Sequence, residues 1–74
     1  MTNKNVANRV RELRTGLGLT QAELADMVGI ARVSILSIEK GHFIPTIETA
    51  LRISQALGAA VEEIFTLKGE KNED

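Results

Sequence analysis

The stretch Thr20–Gly41, TQAELADMVGIARVSILSIEKG, decides the fold. Thr20 and Glu23 have the T-x-x-E spacing of a capping box. In that motif the hydroxyl accepts from the amide at the third helical position, and the carboxylate reaches back to the amide of the capping residue. A helix is therefore predicted to start here. Leu24, Ala25 and Val28 follow at helical spacing on one face. Gly29 stands where a left-handed residue ends a helix without steric cost, and Ile30 folds the turn onto the core. A second helix is predicted from about Ala31 to Lys40, with Ile35 and Ile38 inside and Gly41 at its end. Two helices crossing steeply after so short a turn need a small side chain at closest approach, and Ala25 supplies it. The expected unit is a helix–turn–helix whose second helix keeps one face free, at a width that fits a DNA major groove.

That free face carries the functional reading. On a helical wheel, Arg32, Val33, Leu36, Ser37 and Lys40 lie opposite Ile35 and Ile38. An ordinary helical hairpin would account for the buried positions equally well, but not for this outward set. Val33 and Leu36 are bulky and apolar where solvent would be expected. Apolar side chains can pack on thymine methyls, and arginine can bond guanine bidentately or hold a phosphate; serine discriminates only weakly. Leu36 has a second reading, as support for a protein contact.

Outward from this stretch, a first helix is expected over about Asn5–Thr15, with Val6, Val10, Leu13 and Leu17 as one apolar stripe. Gly16 and Gly18 break it. After Pro45, Thr46 suits an N-cap and Glu48 the positive end of a helix dipole. Ile47, Ala50, Leu51, Ser54 and Leu57 are the expected buried face of that helix, which Gly58 ends. A last short helix is expected over about Val61–Phe65. Residues 1–67 read as one domain, and 68–74, KGEKNED, as a charged, frayed tail.

Composition narrows the function classes. The chain has 74 residues, 43% hydrophobic, enough for one small core. No apolar run approaches the roughly 18–20 residues of a membrane span, and the polar start MTNKNVANRV does not resemble a secretory signal. With no cysteine, disulfides, thiolate chemistry and cysteine-based zinc sites are excluded. A cytoplasmic protein without cofactor or metal is the expectation. The net charge of −1 by itself speaks against a nucleic-acid partner, but its distribution does not. Residues 1–52 hold seven Lys/Arg against five Asp/Glu, and residues 53–74 hold two against five. The basic part carries Arg9, Arg11, Arg14, Arg32 and Lys40. An enzyme is poorly supported: there is one histidine, no glycine-rich phosphate loop, and the adjacent acids Glu62-Glu63 and Glu73-Asp74 do not form an acid/base dyad.

The sequence resembles the phage Cro/repressor-type helix–turn–helix regulators, the Xre family. The resemblance covers roughly Val6 to Phe65. It rests on LGLTQAELA at 17–25, IEKG at 38–41, Pro45 after a three-residue gap, ALG at 56–58 and EEIF at 62–65. It implies an all-α, compact domain of five helices that binds palindromic double-stranded operators as a homodimer. It further implies that Gln21, at the start of helix 2, contacts a DNA phosphate. Arg32, Val33 and Ser37 would face base edges, Lys40 the backbone, and Arg14 and Glu39 would form an internal salt bridge. Ala31 and Ala60 depart from the family's usual capping residues, each at a cost of about 1 kcal/mol. The loop His42-Phe43-Ile44 is apolar where many relatives carry phosphate-binding residues. His42 reads as a solvent- or phosphate-proximal residue, and Phe43 and Ile44 as covers of the core.

One recognition helix buries little surface, and two-fold dimers read half-sites about one helical turn apart. Val61, Ile64, Phe65 and Leu67 are the expected dimer interface, with Ile64 turned mainly inward. The leading expectation is a sequence-specific transcriptional regulator, most simply a repressor. The alternative is an antitoxin-like or adaptor domain whose main partner is a protein, favoured by Leu36 and the apolar loop.

Overall fold

A computed structural model describes residues 5–68. The element order is β1 (Val6–Asn8), α1 (Val10–Gly16), α2 (Gln21–Val28), α3 (Arg32–Glu39), α4 (Ile47–Leu57), α5 (Val61–Ile64) and β2 (Phe65–Leu67). Five helices enclose a core of Val10, Leu24, Ala25, Val28, Ile35, Ile38, Ile53, Leu57 and Ile64. The two short strands add a small antiparallel sheet in the register Val6↔Leu67, Ala7↔Thr66, Asn8↔Phe65. The fold is therefore all-α only approximately. From residue 69 on, the expected tail lies outside the described residues. Lys68 still donates its amide to the Asn5 carbonyl at 2.7 Å. Among the described residues no helix is long and apolar enough to cross a membrane.

The helix–turn–helix forms as its chemistry dictates. Thr20 Oγ1 accepts from the Glu23 amide at 3.0 Å, and Glu23 Oε1 accepts from the Thr20 amide at 2.8 Å. Gly29 ends α2 at φ 85°, a left-handed conformation that a side chain would strain. Ile35 and Ile38 are completely buried on the inner face of α3.

The start of the chain departs from expectation. The helix does not run back to Asn5: β1 occupies Val6–Asn8, and α1 begins at Val10. Asn8 makes the switch, because its Oδ1 accepts from the Val10 amide at 3.0 Å and so caps α1 from two residues upstream. Its Nδ2 donates to the Ile38 carbonyl at 2.8 Å, tying β1 to the last turn of α3. Of the expected stripe, Val10 is buried, Val6 and Leu13 are half-buried and Leu17 is exposed.

The fourth helix turns a different face inward. Ala50, Ile53 and Leu57 are buried and Ser54 half-buried, while Ile47 is 78% and Leu51 54% exposed. Phe43 and Ile44, expected to cover the core, are exposed as well. The last helix stops at Ile64, and Phe65 is already extended at the head of β2.

Both departures at the caps are visible. Ala60 offers no side-chain acceptor, but Glu63 Oε1 accepts from the Ala60 amide at 2.8 Å, so half of a capping box survives. Ala31 has extended backbone (φ −72°, ψ 150°) and no side-chain bond to the first turn of α3. That backbone suits a capping hydroxyl. Ala31→Ser is therefore expected to raise stability by about 0.5–1 kcal/mol, seen as a higher thermal midpoint. An unchanged or lower midpoint would show that the cap is not what α3 lacks.

Candidate nucleic-acid interface

Helix α3 follows α2 through the turn at Gly29 and is held from behind by Ile35 and Ile38. Its outer side chains are thereby fixed in direction. Arg32, Val33 and Lys40 are exposed, Val33 to 59%. Leu36 and Ser37, expected to point freely outward, are half-buried at the two margins of the helix. Leu36 lines a cleft with Arg11, Arg14, Gln21, Glu39 and Lys40, between α1, α2 and α3. Ser37 lines another with Val33, Ser34, His42 and Phe43. Phe43 therefore stands beside Val33 and Ser37, a neighbourhood that α3 periodicity alone does not reveal.

The polar groups at the head of the site form one connected chain. Arg14 Nε donates to Glu39 Oε2 at 2.6 Å and Arg14 Nη2 to Glu39 Oε1 at 3.2 Å, a bidentate pair linking α1 to α3. Both side chains are buried, 10% and 4% exposed. Arg14 Nη1 also donates to the Leu19 carbonyl at 2.8 Å, just before the capping box. Gln21 Nε2 donates to Glu39 Oε1 at 3.1 Å, and Arg32 Nη1 donates to Gln21 Oε1 at 3.1 Å. Among the described residues no buried side-chain nitrogen or oxygen lacks a partner.

This arrangement divides the cations. Arg14 is committed to the interior. Arg9 is engaged with Glu12 at 3.1 Å and turned toward the Glu63 carbonyl of α5. Bonding to Arg9 holds the Glu12 carboxyl below its ordinary range. Arg11, Arg32 and Lys40 make no salt bridge among the described residues. All three are exposed around the head and one margin of α3. Arg11 is the residue the sequence undervalued, since nothing in its spacing marks it as facing the Lys40 side of the cleft.

A separate stretch of surface forms an apolar groove. Val6, Ile44, Pro45, Ile47, Ala50, Val61, Phe65, Thr66 and Leu67 line it. Of the four residues expected at a dimer interface, Val61, Phe65 and Leu67 lie here. Ile64 does not: it is completely buried in the core and offers nothing to a partner.

A family model described as helix-turn-helix matches residues 10–64. An uncharacterized HTH-type transcriptional regulator from Methanothermobacter thermautotrophicus is 49% identical over 59 residues, covering 78% of this chain and 86% of that protein. The P22 c2 repressor protein, solved in complex with a synthetic operator, superimposes with a TM-score of 0.72 at 35% identity. That match covers 73% of this chain and 82% of the repressor chain. The restriction-modification controller protein C.AhdI from Aeromonas hydrophila gives a TM-score of 0.71 at 34% identity, over 74% of this chain and 83% of that one.

Proposed function

The chain belongs to the Xre-type helix-turn-helix family of transcriptional regulators, whose members bind double-stranded DNA, and from that premise we propose that it is a repressor that reads a palindromic operator as a homodimer. In this reading α3 lies in the major groove. Arg32 contacts a base edge or the adjoining phosphate, and Val33 packs on a thymine methyl. Ser37 hydrogen-bonds at the groove floor, and Lys40 and Arg11 hold the backbone. Leu36 shapes the margin of α3 beside the backbone-facing cleft. Gln21, at the first position of α2, is available to a phosphate while bracing Arg32.

The observation that carries this reading is the outward set on α3. A rigidly backed helix presents an arginine, an exposed valine and a lysine along one side, with no acid exposed among them. Few phosphate-neutralising cations surround it, so non-specific affinity is expected to be low. Specificity then depends on base contacts and on presenting two copies of α3 at once. Val61 and Leu67, with Ile44 and Ile47 beside them, supply the self-complementary apolar surface. Residues 1–67 act as the DNA-binding domain in this reading.

Selection of bound duplexes from a random pool, followed by a salt titration, tests it. A two-fold symmetric consensus with half-sites about one helical turn apart is expected. On that duplex, Arg32→Ala should lose about 1–3 kcal/mol and relax preference at one base pair per half-site. A uniform loss across all sequences assigns Arg32 to a phosphate. If no duplex is bound better than micromolar at low salt, the DNA-reading proposal fails and a protein partner takes its place.

A further inference from the structure

The polarity of the hydrogen-bond chain that runs from the end of α3 to its start gives Glu39 a second task. Its carboxylate only accepts, and the Arg32 guanidinium only donates. Gln21 stands between them, and only one orientation of its amide satisfies both: NH2 toward Glu39 at 3.1 Å, carbonyl toward Arg32 at 3.1 Å. Glu39 in turn is immobilised by the two bonds from buried Arg14. We propose that Glu39 is a positioning residue for sequence readout, which fixes the amide of Gln21 so that Arg32 is held over the head of the recognition helix before DNA arrives. This rests on the reading of Arg32 as a base-contacting residue.

The consequence follows from the chemistry of each link. An arginine free in solvent must surrender rotamer freedom on binding, and one already held surrenders less. If the charge on Glu39 is removed, the residue at 39 no longer demands a donor. The Gln21 amide can then rotate and present NH2 to Arg32, where two donors face each other and the brace is lost. The side chain at position 21 must both donate and accept, and glutamine does so at a length that spans α2 to the start of α3. Glutamate would put a second carboxylate against Glu39. Methionine, of similar length, would leave both neighbours unbonded.

The test measures equilibrium binding to the selected duplex and to its single-base-pair variants for wild type, R32A, E39Q and Q21M. Each protein is used at a temperature where circular dichroism shows it folded. R32A is expected to lower discrimination at one base pair by about tenfold. E39Q and Q21M are expected to lower it at that same base pair, with no further loss when either is combined with R32A. A Glu39 that only stabilises the fold predicts otherwise: E39Q lowers the thermal midpoint but leaves the ratio between right and wrong bases untouched. That result, with R32A still relaxing the ratio, overturns the proposal. Should E39Q not fold, Q21M decides, because it leaves the Arg14–Glu39 pair in place. If R32A itself leaves every ratio unchanged, Arg32 does not read a base and the assignment it rests on fails instead.

Discussion

Arg14→Ala is expected to cost about 3–5 kcal/mol and to leave much of the protein unfolded at room temperature. The magnitude comes from what is left behind. The guanidinium supplies two bonds to Glu39 and one to the Leu19 carbonyl. Without it a carboxylate whose side chain is only 4% exposed keeps one amide donor, Gln21 Nε2, and no counter-charge. A core of this size rarely supplies more than ~3–5 kcal/mol in total, so the loss is comparable to the whole margin. Chemical denaturation monitored by circular dichroism measures it. The double variant Arg14→Met with Glu39→Met is expected to recover a large part of the loss, because it removes the stranded charge as well as its partner. Equal instability of single and double variants would mean that the bonds themselves, rather than the uncompensated carboxylate, carry the effect.

The same pair marks where the sequence was legible. Thr20 with Glu23, Gly29, and Ile35 with Ile38 are local signals: each works through neighbours three or four residues away, and the structure forms them as their chemistry requires. Val6 deceived because it continues the four-residue spacing of Val10. What separates them is Asn8, whose side chain can either tolerate a helix or cap one. Pairing of β1 with β2, nearly sixty residues away, settles the choice. No local pattern contains that partner. Helix α4 misled for a related reason. Ile47, Ala50, Leu51, Ile53 and Leu57 offer two overlapping apolar stripes. Only packing against α2 and α5 selects the stripe centred on Ile53. At the candidate site, the exposure of Arg32, Val33 and Lys40 followed from the α3 wheel. The Gln21 bridge from Glu39 to Arg32 did not, since it joins the start of α2 to both ends of α3 through side-chain ends.

Two of the misjudged apolar residues, Ile44 and Ile47, fall together, and this motivates the last prediction. Ile44 and Ile47 belong to the groove that also holds Val61 and Leu67, and Leu67 is 60% exposed. Apolar side chains that local reasoning assigns to a core, and that the protomer leaves outside, are what a second copy would bury. Ile47→Glu isolates that role. Position 47 opens α4, where Thr46 is the N-cap and a carboxylate interacts favourably with the helix dipole. The substitution therefore should not lower the stability of the protomer. Across a two-fold interface it sets a charge, and its copy, against an apolar surface. Sedimentation should show a monomer at concentrations where the wild type is a dimer. Operator affinity should fall about a hundredfold, because the second half-site is no longer delivered by the first, while binding to an isolated half-site stays unchanged. An Ile47→Glu protein that still sediments as a dimer would move the interface off this groove. If wild type and variant are both monomers and bind the full operator equally, the homodimeric reading itself is wrong.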